Sequence, residues 1–240
     1  MTATQYSPEH ADVYEAVSSA RGRNWTGEAD ELTALILERF PQARSLLDVA
    51  CGTGVHLERF AERFAEVAGV EISPAMRDRA RRRLGGTPVH DGDMRDFDLG
   101  RTFDAVTCLC YSIGYMASVA ELDAAAARMA HHLNPGGVAV VEPWWFADRF
   151  LDGYVAGSVA HQDGRVISRV SHSVRKGRAC HMTVRFTVAD ADGIRDFTEH
   201  EICSLFTEEE YLGAFTRAGL RTEFIEGGPN GHGLLVGVRD

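Results

Sequence analysis

Three groups of residues in this chain have the types and spacing suited to holding a nucleoside. The first is Asp48-Val-Ala-Cys-Gly52-Thr-Gly54, an acid followed by a glycine pair. Glycines let a ligand approach the backbone closely, and a helix opening there offers unpaired N–H groups. The second is Glu71, 19 residues past Gly52, a carboxylate able to take both ribose hydroxyls. The third is Asp93-Met94, a carboxylate contact and an apolar cover for an adenine. A dinucleotide site is the competing reading, but it expects a third glycine that Gly52-Thr-Gly54-Val-His-Leu lacks. No phosphate loop ending in Gly-Lys-Ser/Thr is present. Asp48 also fits a structural cap of the loop, and Cys51 a small loop residue.

The pattern along the chain supplies the elements that must position these groups. Residues 9–21 and 27–40 have helical apolar spacing, the second ending at Pro41. Short apolar runs at 45–50, 66–72, 87–90, 103–110 and 138–142 then alternate with helices at 54–64, 74–84 and 119–132. Ser73 and Pro74 form a start signal for one of these helices. Strands alternating with helices predict a parallel, doubly wound sheet in an α/β fold. Beyond Pro143 the apolar period falls to two, over 166–175, 180–188 and 195–206, with turns at Lys176-Gly177 and Asp190–Gly193. This predicts an antiparallel β-rich lid, residues 143–206, inserted in a core made of 1–142 and 207–240. The core resumes with a helix near 207–218 and strands near 221–225 and 233–239.

At 240 residues, 45% hydrophobic and 25% charged, the chain is long and apolar enough to bury a core. A formal net charge of −10 argues against a general nucleic-acid binder. Five cysteines without a C-x-x-C pair give neither a disulfide framework nor a zinc spacing, so no metal is expected. No apolar run approaches the ~18 residues of a membrane helix. The N-terminal residues lack a signal layout, so the expectation is a cytoplasmic, reduced protein with no membrane partner.

The order of Asp48, the glycines and Asp93-Met94 resembles the class I S-adenosylmethionine-dependent methyltransferases, which are Rossmann-like. The resemblance extends to Val141-Glu-Pro-Trp-Trp-Phe146, Ser168-Arg-Val-Ser-His-Ser173 and Glu226-Gly-Gly-Pro-Asn-Gly231. Over about residues 6–239 the chain is similar to the TDP-aminosugar N,N-dimethyltransferases of antibiotic pathways (desosamine, mycaminose and forosamine type). The resemblance implies S-adenosyl-L-methionine as cofactor, with Ala50, Gly52 and Gly54 lining its methionine and ribose. Glu71 would then hold the ribose, and Asp93 and Met94 the adenine. It also implies that Tyr6, Tyr14 and Trp25, on helices closing over the cofactor, face the sulfonium, with plain packing the alternative for each. A homodimer is hinted at in the same way.

A TDP-linked aminosugar is anionic, and the charge has a distribution that suits one. Residues 165–188 hold six basic residues and no acid, so the remainder of a chain at −10 stands at −16. Guanidinium forks suit a diphosphate. Arg169 and Arg185 are expected to project toward the cleft and Arg178 to sit at a hairpin tip; edge-protecting surface charges are the alternative. Trp145 is expected to stack on the base or sugar, and Ser171 lies in the same family stretch as Arg169. His232 stands where the family commonly has arginine, which predicts weaker, pH-dependent nucleotide binding. Tyr111, Ser112 and Tyr115 follow the fourth strand, where the acceptor amine is expected. Tyr115 stands where the 3-amino-sugar enzymes have histidine and matches the forosamine-type enzyme, so a 4-amino sugar is slightly favoured. Its role would be to orient the amine or take its proton late. A methyltransferase for another small amine and a non-catalytic cofactor-binding subunit are the remaining alternatives. The basic stretch argues against the first, and the intact Asp48, Gly52, Gly54, Glu71 and Asp93 against the second.

Overall fold

The computed structural model describes residues 6–240. Two helices, α1 (Pro8–Ala20) and α2 (Trp25–Arg39), precede β1 (Ser45–Val49), α3 (Val55–Phe60), β2 (Glu66–Glu71), α4 (Pro74–Leu84) and β3 (Val89–Asp91). Then come β4 (Phe103–Cys108), a 3-10 turn (Ser112–Tyr115), α5 (Val119–His131) and β5 (Leu133–Val141). Four long strands follow, β6 (Tyr154–Gln162), β7 (Arg165–Lys176), β8 (Ala179–Asp190) and β9 (Gly193–Ser204). The chain ends with α6 (Glu208–Arg217), β10 (Leu220–Ile225) and β11 (Leu234–Arg239).

The strands form a seven-stranded sheet in the order β10-β11-β5-β4-β1-β2-β3 and a four-stranded sheet β6-β7-β8-β9. β1 to β5 are parallel, and β11 pairs antiparallel with both β5 and β10. The chain leaves β1 first toward β2 and later crosses to β4 on its other side. That reversal opens a crevice at the carboxyl ends of β1 and β4. Both faces of the large sheet are covered, which explains why its strands read as apolar runs: Leu46 and Leu47, neighbours on β1, are both 0% exposed. Leu47 packs with α5 and α6, and Leu46 with α2 and α3.

Three local features differ from the sequence reading. α3 stops at Phe60, with turns instead of helix up to Phe64. β5 begins at Leu133, so Asn134-Pro-Gly-Gly lies inside a strand whose register against β4 shifts between Phe103 and Ala105. β6 was not anticipated, because Tyr-Val-Ala-Gly-Ser-Val-Ala-His-Gln buries only Ala160 and so lacks a period-two apolar signal.

The second sheet buries one face. Ile167, Val184, Phe186 and Val188 pack against Val13 and Val17 of α1. Its other face exposes Val155, Val159, Val166 and Val170. α1 also meets the core, through Arg79–Asp12 at 2.7 Å and Arg83–Glu15 at 2.8 Å to α4. α1 therefore serves both sheets, although its position in sequence groups it with the core alone. Phe186 stacks on Phe197 and lies 5.0 Å from the His10 ring. Phe186→Ala is expected to lower the unfolding free energy by about 3–5 kcal/mol, read by urea denaturation. A loss under about 1 kcal/mol would mean that this cluster does not hold α1 to the sheet.

Candidate active site

The loop after β1 turns through three left-handed residues, Ala50 (φ 58°), Gly52 (φ 56°) and Gly54 (φ 77°). At Ala50 this conformation is strained, a condition that persists where the surroundings enforce it. Glu71, 5% exposed at the end of β2, fixes the loop. One of its oxygens accepts from the Gly52 N–H at 2.8 Å and the other from the Ser73 N–H at 2.7 Å. Burial raises the Glu71 carboxyl, and these two amides oppose the rise. Asp48, below the loop, accepts from the Thr107 hydroxyl at 2.7 Å, and burial lifts its carboxyl to about 6. It borders the cleft as well. Burial alone would raise Asp93, but Arg95, with its Nε 2.9 Å away, holds the carboxyl below its ordinary value.

These groups line a cleft of about 870 Å³ with Ala50, Met94, Tyr6, Tyr14, Ser112 and Tyr115. Two residues expected here are placed otherwise. Gly54 faces α4: a Cβ there would come within 2.9 Å of Leu84 and 3.1 Å of Ala80, so its smallness serves packing. Trp25 stands behind the cleft wall, its ring 6.1 Å from Tyr14 and 5.2 Å from His56, and its indole N–H donates to Ser19. Ser112, expected to face the acceptor, lines this first cleft.

A second chamber of about 720 Å³ adjoins the first, and Tyr6, Tyr14, Cys110 and Tyr115 border both. The Tyr6 and Tyr115 hydroxyls lie 2.7 Å apart, and Tyr115 donates to Glu201 Oε2 at 2.9 Å. Glu201, 8% exposed, was missed in the sequence. The available clue was parity: Glu201 shares its strand face with Cys203 and Phe197, so an acid stands on the inward side of β9.

The second chamber widens into an outer cavity of about 1580 Å³ bordered by Tyr111, Trp144, Trp145, Arg169, Ser171 and His232. Trp145 is 40% exposed with its ring 4.1 Å from His232. The Trp144 indole N–H is buried with no hydrogen-bond partner among the described residues. Burial, with Arg23 and Arg21 nearby, lowers His232 to about 4, so it is neutral near pH 7.

Of the six basic residues in 165–188, only Arg169 reaches the chambers from a buried position. Its guanidinium meets Ser171 Oγ at 2.9 Å and the Met182 sulfur at 3.7 Å, with no carboxylate at ion-pair distance among the described residues. Burial and the neighbouring Arg21 push it down to about 10. Arg185 was expected beside it but points the other way, 62% exposed and paired with Asp196 at 2.6 Å. β7 and β8 explain this: Arg169 pairs with Phe186, so Arg185, one residue back, lies on the opposite face. Arg178 is 68% exposed and bound to Glu210, away from the chambers. Arg165 is bound to Asp12 and Arg175 to the Ala147 carbonyl.

Arg23, also unanticipated, holds the mouth together. It pairs with Glu28 at 2.7 Å and with Glu142 at 3.1 Å, both carboxylates being 4% exposed. Glu142 additionally takes Asn230 Nδ2 at 2.9 Å and the Cys110 N–H at 2.7 Å, and Glu28 meets His56 at 3.0 Å. Cys110 and Tyr111 themselves have positive φ, 54° and 65°. No group of residues suited to a metal is found among the described residues.

Comparison with known proteins gives this geometry a context. A family model described as a methyltransferase domain matches residues 46–137. The chain is 59% identical to dTDP-4-amino-2,3,4,6-tetradeoxy-D-glucose N,N-dimethyltransferase of Saccharopolyspora spinosa, over 100% of this chain and 96% of that one. It is 52% identical to dTDP-3-amino-3,4,6-trideoxy-alpha-D-glucopyranose N,N-dimethyltransferase of Streptomyces venezuelae, over 97% and 99% of the two chains. The S-adenosylmethionine-bound structure of CalS10, an amino pentose methyltransferase from Micromonospora echinaspora, superposes with a TM-score of 0.89 at 50% identity, covering 95% of this chain and 97% of that one.

Glu71→Ala removes a carboxylate and leaves two loop amides without their acceptor. It is expected to weaken S-adenosylmethionine at least about tenfold by titration calorimetry, or ~1.4 kcal/mol. Glu62→Ala, a surface change, serves as the reference. Equal affinities for the two variants would show that Glu71 does not organise the cleft.

Proposed function

The chain belongs to the dTDP-aminosugar N,N-dimethyltransferases, a branch of the S-adenosylmethionine-dependent methyltransferases, and from that premise we propose that it dimethylates the 4-amino group of a TDP-linked deoxyaminosugar. The single observation that carries this reading is the pair of chambers meeting at Tyr6, Tyr14, Cys110 and Tyr115. One chamber has nucleoside chemistry and the other leads to a cavity with a buried guanidinium that has no carboxylate at ion-pair distance among the described residues.

The cofactor fits the first chamber by the chemistry of its donors. Glu71 and Asp93 are carboxylates for ribose hydroxyls and an adenine edge, Met94 is the apolar cover, and Tyr6 and Tyr14 are aromatic faces for a cation. S-adenosylmethionine supplies an activated methyl group on a cationic sulfonium. The protein's own contribution is to hold the amine in line at near-attack distance and keep water away. Tyr115, on the shared wall, orients that amine.

On the acceptor side, Arg169 is a buried cation with no carboxylate partner, and Arg21 stands near it. A diphosphate would supply the missing counter-charge. Ser171 backs that guanidinium, the Trp145–His232 pair offers a stacking surface, and the free Trp144 N–H offers a donor. The 4-amino reading draws on the relative at 59% identity and on Tyr115.

Incubation with S-adenosylmethionine and a panel of 3- and 4-amino TDP-sugars tests the reading by mass spectrometry. A gain of two methyl groups on a 4-amino sugar is expected. No gain on any aminosugar would overturn the function, and gain on 3-amino sugars alone would overturn the ring position.

The cellular setting we propose is antibiotic sugar biosynthesis in the cytoplasm; no helix among the described residues is long and apolar enough to cross a membrane. The partner we assign to the outward valines of the second sheet is a second copy of the chain. Light scattering is expected to give twice the 26.3 kDa of the chain. A monomer at micromolar concentration would sink that assignment.

A further inference from the structure

An aminosugar amine reaches the enzyme largely as an ammonium ion, and a nitrogen that carries an extra proton has no lone pair to attack with. Each methyl transfer also leaves a new ammonium. Two transfers to one nitrogen therefore require proton removal before each attack, and something in the acceptor chamber must take those protons. Tyr115 does not do so alone. Burial and the nearby Glu201 carboxylate raise its hydroxyl well above its ordinary value, so the phenol stays protonated. The Tyr6 hydroxyl, also raised by burial and by Glu201, is no better.

Behind Tyr115 stands a group with the right chemistry. The Tyr115 hydroxyl donates to Glu201 Oε2 at 2.9 Å, and the Tyr6 hydroxyl, 2.7 Å away, donates to the Tyr115 oxygen. A phenolic oxygen has two acceptor sites, so this arrangement leaves one open for an amine N–H. Glu201 borders the acceptor chamber but not the nucleoside cleft, whereas Tyr115 borders both. The chain amine, Tyr115, Glu201 therefore runs from the junction into the acceptor side.

We propose that Glu201 is the terminal proton acceptor of the reaction, acting through the Tyr115 hydroxyl. The inference rests on the aminosugar reading above. In the step itself the ammonium N–H bond breaks and its electron pair stays on nitrogen. The proton moves to the Tyr115 oxygen as the Tyr115 proton moves to the Glu201 carboxylate. Tyr115 ends as it began, Glu201 ends as a neutral acid, and the amine is free to attack. Glu201 returns its proton to solvent before the next transfer.

The surroundings tune Glu201 for this. Burial raises its carboxyl, with Tyr115 and Arg169 opposing and Glu199 adding to the rise. Arg21 from the end of α1 pulls it down, and Tyr6, Cys180 and Cys203 complete the titratable groups facing it. A raised carboxyl is a stronger proton acceptor than an ordinary one, which brings it closer to the amine it must deprotonate.

The pH profile of methyl transfer separates this role from a structural one. Glu201→Gln keeps the shape and an oxygen for the Tyr115 hydroxyl but cannot accept a proton. At pH 7 its kcat/KM is expected to fall about tenfold or more, and by pH 9.5, where the amine arrives deprotonated, the loss should shrink to within about threefold. Tyr115→Phe is expected to show the same recovery, and it carries the test if the Gln variant does not fold. S-adenosylmethionine affinity should match that of the unaltered protein in the Glu201→Gln variant, whose side chain does not border the first cleft. A loss that is equal at all pH values, or no loss, overturns the proposal while leaving the aminosugar function standing. Failure of the unaltered protein to methylate any aminosugar at any pH overturns both.

Discussion

The mouth of the active site is held by one buried cation. Arg23 bridges Glu28 and Glu142, and through them it gathers the α1–α2 connection, α2, α3, the loop after β4, the end of β5 and the loop between β10 and β11. Burial works against the Arg23 charge, and the Glu142 carboxylate beside it opposes that penalty, so the guanidinium stays protonated. Taking such charges out of water is costly, and removing one partner of a buried set leaves the others uncompensated. The cluster consequently constrains geometry more than it adds stability. Its loops come from distant parts of the chain, and their relative positions define both chambers.

Above that clamp, the active site is a product of strand direction. Parallel strands deliver Ala50, Glu71 and Cys110 to the same edge of the sheet, and the crossover between β1 and β4 leaves a gap there. Among the described residues, three of the four non-glycine residues with positive φ, namely Ala50, Cys110 and Tyr111, lie on this edge. Strain is concentrated where the backbone must present its N–H groups and side chains to ligands rather than continue into regular structure.

The nucleoside half of the site was legible because it depends on short sequence distances. The glycine loop, Glu71 and Asp93-Met94 each follow a strand, and strand ends can be located from apolar runs. Acceptor residues were harder, since they converge from α1, β7, β9 and two loops. Arg185 illustrates a misreading that sequence could have corrected, because period two places it opposite to Phe186 and hence to Arg169. Glu201 was visible by the same parity but looked like one of many acids on β9. Arg23 left no local signal, and Glu142 and Asn230 stood in family stretches without a legible role, as their meaning lies in contacts spanning 119 and 88 residues. The segment charge of +6 was similarly incomplete: carboxylates from α1, α6 and β9 neutralise Arg165, Arg178 and Arg185, and of the remaining Arg169, Arg175 and Lys176 only Arg169 borders the chambers.

Helix α1 bears on both sites. Tyr6, just ahead of it, and Tyr14 within it border both chambers, while its apolar side lies on the second sheet and its acids grip α4. A roof shared by two rooms cannot be lifted over one alone. A ligand that shifts α1 from one chamber shifts a wall of the other, and any coupling that results is reciprocal by thermodynamic linkage. The helix belongs to neither site exclusively.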